Sequence, residues 1–289
     1  MLSFALTILL DGVSYGMILF LISVGLTVTM GLMRAVNLAH GSFAMVGGYI
    51  AGYLTQSGID FYLALAIAAI VPGILGGLAE ITIYRPLYRK GELAQVLLTI
   101  GLVFVVTAVV TEIFGAFPYS VRFPDYLTKP VDIGFRTYPA YRLFLIVVGA
   151  IIAVALWYLI DNSLYGARLR AAVDNSRIAR VVGMNVNLIF TGTFVVGCAL
   201  AGLGGAIGAG ILTPEPSYAL KYVVLFLVVV IVGGEGSFKG SFVAAMALGI
   251  IDTLGKYFVT AAAPYLLYAA VFVLLLWRPQ GLLPAKSVA

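Results

Sequence analysis

Four acidic residues, Asp11, Glu80, Glu112 and Asp252, fall within or at the ends of long apolar stretches. A charge at mid-bilayer costs about 2.5–3.5 kcal/mol on insertion scales, so such groups must face the protein interior or water. They could couple transport to protons or ions, or they could serve as structural partners; Glu80 is placed to pair with Arg85. His40 is the only histidine and Cys198 the only cysteine, which leaves no metal-ligand set and no intrachain disulfide. The glycine-dense run AGLGGAIGAG at 201–210 is not a dinucleotide fingerprint, because Ile207 stands where the third glycine would be. Gly255-Lys256 lacks both the upstream glycine and the following hydroxyl of a phosphate loop. No nucleophile–base constellation is evident either, so an enzyme is not expected and no cofactor is assigned to this chain. Asn37, Ser42, Thr99 and Thr193 are polar positions inside apolar stretches, suited to lining a path for a small polar solute.

Residues 161–187, DNSLYGARLRAAVDNSRIARVVGMNVN, hold the densest pattern. Between Ala167 and Val182, apolar residues alternate with Arg168, Arg170, Asp174, Asn175, Arg177 and Arg180, and Gly183 then stops a short helix. A basic amphipathic helix beside a membrane can lie on anionic lipid or dock against another protein.

The surrounding elements explain why these residues stand out. Hydrophobic residues make up 62% of the 289, charged residues 10%, and the mean hydropathy is +1.10. Soluble domains carry about 25% charged residues, so most of this surface must face lipid. Runs such as 143–160 are apolar on every face, which favours an all-α polytopic bundle over a barrel of alternating strands. Spans are predicted at about 4–30, 37–55, 61–84, 93–115, 141–160, 188–211, 222–233, 241–260 and 264–277, eight or nine in a single transmembrane domain. The second is Gly-rich and the seventh short, so either could be partial or re-entrant. The first basic residue is Arg34, so the first run lacks a charged leader flank and is expected to remain a span.

The net charge of +5 does not point to nucleic acid, because the 17 Lys and Arg are scattered over loops. With 161–187 placed in the cytoplasm, eleven of them fall inside and six outside, which predicts an outer N-terminus and an inner C-terminus. Glycine pairs spaced by four, Gly48/Gly52, Gly73/Gly77 and Gly204/Gly208, predict close helix approach, either for packing alone or for sliding. His40-Gly41-Ser42-Phe43 and Lys239-Gly240-Ser241-Phe242 form a short internal echo whose two copies run parallel in this topology; chance and duplication explain it equally. Asn37 is in position to cap the helix that His40 opens.

NLAHGSF at 37–43, RPLYR at 85–89, RLRAAVDNSRIARVVGMNVN at 168–187, GGEGSFKG at 233–240 and WRPQGLL at 277–283 together resemble the Liv-type branched-chain amino acid ABC permeases, from near residue 10 to the end. The long loop motif and the RPQGLL ending are specific to that family; NLAHGSF is shared among its substrate classes. The loop lacks the Glu-Ala-Ala sequence of many bacterial import permeases and offers Ala171-Ala172 instead.

The resemblance implies the permease subunit of a bacterial inner-membrane importer, working by alternating access. It further implies a second homologous permease, two cytoplasmic ATPases carrying ATP and Mg, and a periplasmic solute-binding protein. Within the loop, Arg170, Asn175, Ala179, Gly183 and Asn185 match the family pattern, and with Arg168 and Arg177 they form the expected ATPase-coupling set. An ion-coupled secondary transporter and a passive channel for a solute such as urea are the alternatives. Branched-chain, other amino acid, amide and aromatic substrates are not separated by any residue.

Overall fold

The computed structural model describes residues 2–33, 37–87, 90–134 and 136–283. Arg34, Arg89 and Lys286, used in the charge count, and the end of the RPLYR motif lie outside them. In order, the elements are α1 (Leu2–Met33), α2 (His40–Gln56), α3 (Phe61–Ala79), a π-turn (Glu80–Tyr84), α4 (Arg85–Leu87), α5 (Glu92–Phe114), α6 (Asp125–Thr128), β1 (Pro130–Asp132), β2 (Thr137–Pro139), α7 (Ala140–Asp161), α8 (Leu164–Asp174), α9 (Ser176–Val181), α10 (Val186–Ile207), α11 (Tyr218–Gly233), α12 (Phe238–Phe258), a 3-10 turn (Thr260–Ala262) and α13 (Ala263–Trp277).

Seven helices among the described residues are long and apolar enough to cross a membrane. The two others of the predicted set, α2 with 17 residues and α11 with 16, fall short. These are the two segments whose sequences pointed to partial or re-entrant elements. The small hairpin β1–β2, with Val131 opposite Tyr138, lies in the loop before α7 and carries no core of its own.

Local sequence sets the helix ends. Asp60 Oδ1 accepts from the backbone N–H groups of Tyr62 (2.9 Å) and Leu63 (3.1 Å), starting α3 straight after the turn at Gly58. Ser237 accepts from Gly240 N–H and starts α12. Asn37 does not cap α2. Its Oδ1 accepts from Ala39 N–H, two residues on, and Ala39 then occupies the cap position without a side-chain bond. That bond is an Asx turn, which leads the chain into α2.

α1 runs through the centre of the bundle, with Ile18, Leu19, Phe20 and Ile22 fully buried. Glycine allows its neighbours to come close. A β-carbon on Gly25 would strike the carbonyl oxygen of Gly197 in α10, and one on Gly12 would stand 2.8 Å from Ile250 Cα in α12. α10 is likewise pressed onto α2, where Gly205 meets Ala44 and Gly47 meets Gly202, and onto α3, where Gly76 meets Cys198. Of the predicted pairs, Gly73 and Gly77 face Ala199 and Val195 of α10 and Gly204 and Gly208 face Ile22 and Ile18 of α1, whereas Gly48 and Gly52 lie nearest the loop residues Pro214 and Tyr119 rather than a second helix. On the outside, Phe104, Val105 and Val109 of α5, Val147, Ile151 and Val154 of α7, and Phe272 and Leu276 of α13 are exposed. Water would penalise that surface and hydrocarbon does not.

Candidate functional site

The basic loop folds as two short helices rather than the single helix expected. Asp174 ends α8, and Asn175 breaks the run by turning its Oδ1 onto the N–H groups of Arg177 (3.1 Å) and Ile178 (3.0 Å) to start α9. An asparagine favours a cap over a helix interior because its short amide competes for local backbone donors. Gly183, at φ +87°, ends α9, and Asn185 starts α10 by accepting from Leu188 N–H at 3.1 Å.

A small core of its own holds this unit. Leu169, Ala172, Ala179, Val186 and Ile189 are buried together, with Val28 of α1 packed against them. Ala179, expected among the partner-facing residues, is thus turned inward. Arg170 also has an internal partner, donating from Nη1 to the carbonyl oxygen of Ile160 at the end of α7. Arg168, Arg177 and Arg180 are exposed. Beside them Ile178 (60% exposed), Val181 (84%) and Val182 (69%) form an apolar tip, a feature to which the alternating pattern of the sequence gave no prominence.

The unit is joined to the bundle through α10. Tyr165 of α8 lies with its hydroxyl 2.9 Å from Thr193 Oγ1. Both border an apolar cavity of about 30 Å³ between α1, α7, α8 and α10. Thr193 therefore ties α8 to α10. Thr99 donates to Val96 in its own helix at 2.9 Å and is buried in α5. These two pathway candidates stand apart from the others.

Asn37 and Ser42 do come together, at the head of α2. Asn37 Oδ1 accepts from Tyr84 Oη at 3.0 Å as well as from Ala39. His40 Nε2 lies 2.9 Å from the carbonyl oxygen of Ile22; since a carbonyl only accepts, Nε2 carries the proton and Nδ1 is left as an acceptor. Asn37 Nδ2, His40 Nδ1, Ser42 Oγ, Ser23 Oγ and Tyr218 Oη are buried without a hydrogen-bond partner. Each group left so costs about 1–3 kcal/mol. Tyr84 and Tyr218 were not singled out by the sequence; Tyr84 adjoins the RPLYR motif, but Tyr218 carries no comparable signal.

The acids are mostly paired. Glu80 sits fully buried in the π-turn, 2.7 Å from Arg85 Nη2, the partner expected for it, and 2.7 Å from Thr191 Oγ1 of α10. Asp252 is 2.5 Å from Lys256, one turn along α12, and is the acid nearest the middle of its helix. Asp11 accepts from Tyr138 (2.6 Å) and Tyr257 (2.8 Å) and forms an ion pair with Arg142. Glu112 is exposed in the last turn of α5. They are spread over separate helices rather than strung into a relay. In the first turn of α11, Lys221 at 2.6 Å from Glu215 of the preceding loop holds that carboxyl below its usual range.

Two of the quoted motifs meet at the far end of α11. Gly281, at φ +85°, turns the 277–283 segment back so that Leu282 and Leu283 donate to the carbonyls of Val232 (2.7 Å) and Gly233 (3.2 Å). Gly240 lies against both Gly233 and Leu283. The terminal carbonyls of α11 are satisfied by this strap.

Comparison with known proteins agrees with this architecture along the whole chain. The model of the branched-chain amino acid transport system / permease component family matches residues 8–276. The high-affinity branched-chain amino acid transport system permease protein BraD of Pseudomonas aeruginosa is 27% identical, covering 97% of this chain and 96% of BraD. LivH of Escherichia coli is 25% identical over 96% of this chain and 95% of LivH. LivM of the same organism, also a permease protein of such a system, is 27% identical over 93% of this chain and 68% of LivM. A chain of PsaBC from Streptococcus pneumoniae, solved in complex with a Fab, shares the fold with a TM-score of 0.52 at 14% identity, covering 96% of this chain and 92% of that one. A multi-pass helical bundle with close-packed glycines, two short helices inside it and a match over residues 8–276 thus has one assignment: the chain belongs to the branched-chain amino acid transport permease family.

Proposed function

We propose that this chain is the permease subunit of an ATP-driven importer for branched-chain amino acids or related small solutes. The observation that carries the reading is the α8–α9 unit: an exposed apolar tip of Ile178, Val181 and Val182 flanked by Arg168, Arg177 and Arg180, mounted on its own small core. Apolar residues so exposed beside cations, away from the lipid-facing belt, suit a protein partner with a mixed apolar and acidic cleft.

That partner is an ATPase, one of two on the cytoplasmic side, carrying ATP and Mg. The chain has no phosphate-loop sequence of its own. ATP-driven closure of the pair would push α8–α9, and α10 would pass the displacement to α1, α2 and α3 through the glycine contacts. The side carrying 161–187 is then cytoplasmic, the N-terminus is outside, and the membrane is the bacterial inner membrane. A second related permease completes the pore, in keeping with relatives of both LivH and LivM type. A periplasmic binding protein delivers the solute to the outer mouth.

Reconstitution tests this. Liposomes containing this chain, a related permease, the ATPases and the binding protein should accumulate L-leucine only when ATP and binding protein are both present. Accumulation by this chain alone, driven by a proton or sodium gradient, contradicts the reading.

A further inference from the structure

The heads of α2 and α11 meet through buried faces, Gly41 of one against Ala219 of the other, while Ser217, Leu220 and Lys221 on the far side of the α11 head are exposed. His40, the first residue of α2, is bonded to Ile22, and α1 continues for eleven more residues to Met33. That is about 16 Å of helix, so α2 begins about a third of the length of α1 in from its Met33 end. Gly41 lies directly against the first turn of α11: a β-carbon there would stand 3.1 Å from the carbonyl oxygen of Ala219 and 3.3 Å from its Cα. From this meeting point α2 runs to the 119–120 loop, where Gln56 donates to Ser120 at 2.7 Å. α11 runs the opposite way, to the strap at Gly233.

Two helix N-termini, each the positive end of a helix dipole and each without a side-chain cap, therefore face one buried place. The unpartnered atoms described above lie in the same two first turns: Ser42 Oγ (residue 1% exposed), His40 Nδ1 (1%) and Tyr218 Oη (0%), with Asn37 Nδ2 (3%) just ahead of α2. Their chemistry is complementary to a zwitterion. Asn37 Nδ2 donates, as a carboxylate requires; His40 Nδ1 accepts, as an ammonium requires; Ser42 can do either.

We propose that this junction is the closed centre of the translocation pathway, where Asn37, His40 and Ser42 receive the α-carboxylate and α-ammonium of an amino acid in passage. The inference rests on the amino-acid importer reading above and assigns it a subsite. Opening requires the α11 head to part from Gly41 while its other end stays under the 281–283 strap. The polar atoms that lack partners in the closed packing gain them from solute and water in the open one, which lowers the cost of opening.

The test uses the assembled importer in liposomes, in a Cys198→Ala background, with L-leucine as the probe. A Ser42→Cys variant should react with a small cationic methanethiosulfonate at least tenfold faster during ATP turnover than at rest, and L-leucine should slow that reaction. Isoamylamine and 4-methylpentanoate, each lacking one charged group, should protect at least tenfold less. A Gly41→Cys/Ala219→Cys pair, once oxidised, should abolish uptake and regain it on reduction; if that pair does not fold, the Ser42→Cys labelling decides. Labelling indifferent to turnover or to L-leucine, or full uptake by the oxidised pair, overturns the proposal. Failure of the ATPases to copurify with the unsubstituted chain overturns the importer reading instead, so the two failures are told apart.

Discussion

The Thr191 hydroxyl lies 2.7 Å from the buried Glu80 carboxylate, and Arg85 Nη2 lies 2.7 Å from the same oxygen. Three residues, from the π-turn, α4 and α10, thus lock the π-turn after α3 to the first turns of α10, close to where the α8–α9 unit joins it. A π-turn is an uncommon element that recurs at functional sites, and here it aims Glu80 inward and places Tyr84 on Asn37.

Glu80→Ala removes a charged acceptor from Arg85 and Thr191 at once. Hydrogen bonds to charged groups are worth about 1.5–3 kcal/mol each, and Arg85 keeps partial solvent access, so a net loss of about 2–3 kcal/mol is expected. Thr191→Val should cost about 1 kcal/mol. Thermal unfolding of the detergent-solubilised protein should show a clearly lower midpoint for the first and a small change for the second. Equal midpoints would mean the network carries no stability.

Glycine contacts make a sharper prediction. A β-carbon on Gly205 would collide with the carbonyl oxygen of Ala44, whereas one on Gly101 meets nothing within 4 Å. Gly205→Ala should therefore lower folded yield severely. Gly101→Ala should be neutral or stabilising by up to about 1 kcal/mol, because alanine is the better helix former. Monodisperse yield on size-exclusion chromatography reads both; a normal yield for Gly205→Ala would refute the close α2–α10 packing.

At the other end of α1, Asp11 gathers Tyr138, Tyr257 and Arg142 from β2, α12 and α7. Asp11→Ala strands two hydroxyls and an arginine that keeps partial solvent access, and should cost about 2–3 kcal/mol; Tyr257→Phe removes one hydrogen bond and should cost about 1 kcal/mol. Protease sensitivity of the 130–139 hairpin should rise strongly in the first variant and slightly in the second. No rise in Asp11→Ala would show that the hairpin is held by other contacts.

Much of this was legible in sequence because bilayer physics leaves few options. Apolar runs had to be helices, and the two segments too short or too glycine-rich to read as ordinary spans proved to be α2 and α11. Glu80–Arg85 was legible because their spacing permits contact. The break at Asn175 was not, since an asparagine inside a helical pattern can face solvent or cap a new helix, and only the chain's route decides. The inward turn of Ala179 and the internal use of Arg170 depend on where Ile160 and Val28 arrive, which no local pattern encodes. Asn37 and Ser42 were recognisable as polar residues in apolar surroundings, but Ala219, which stands against Gly41, is more than 170 residues from them in sequence and the meeting of α11 with α2 is purely tertiary.

The coupling role of α8–α9 is tested most directly by copurification of the ATPase subunits with Val181→Glu and Ile178→Glu variants of this chain. Both side chains are exposed and outside the small core, so insertion and monodispersity should be unchanged while ATPase recovery falls at least tenfold and ATP-driven L-leucine uptake is lost. Undiminished ATPase recovery with both variants would contradict the account.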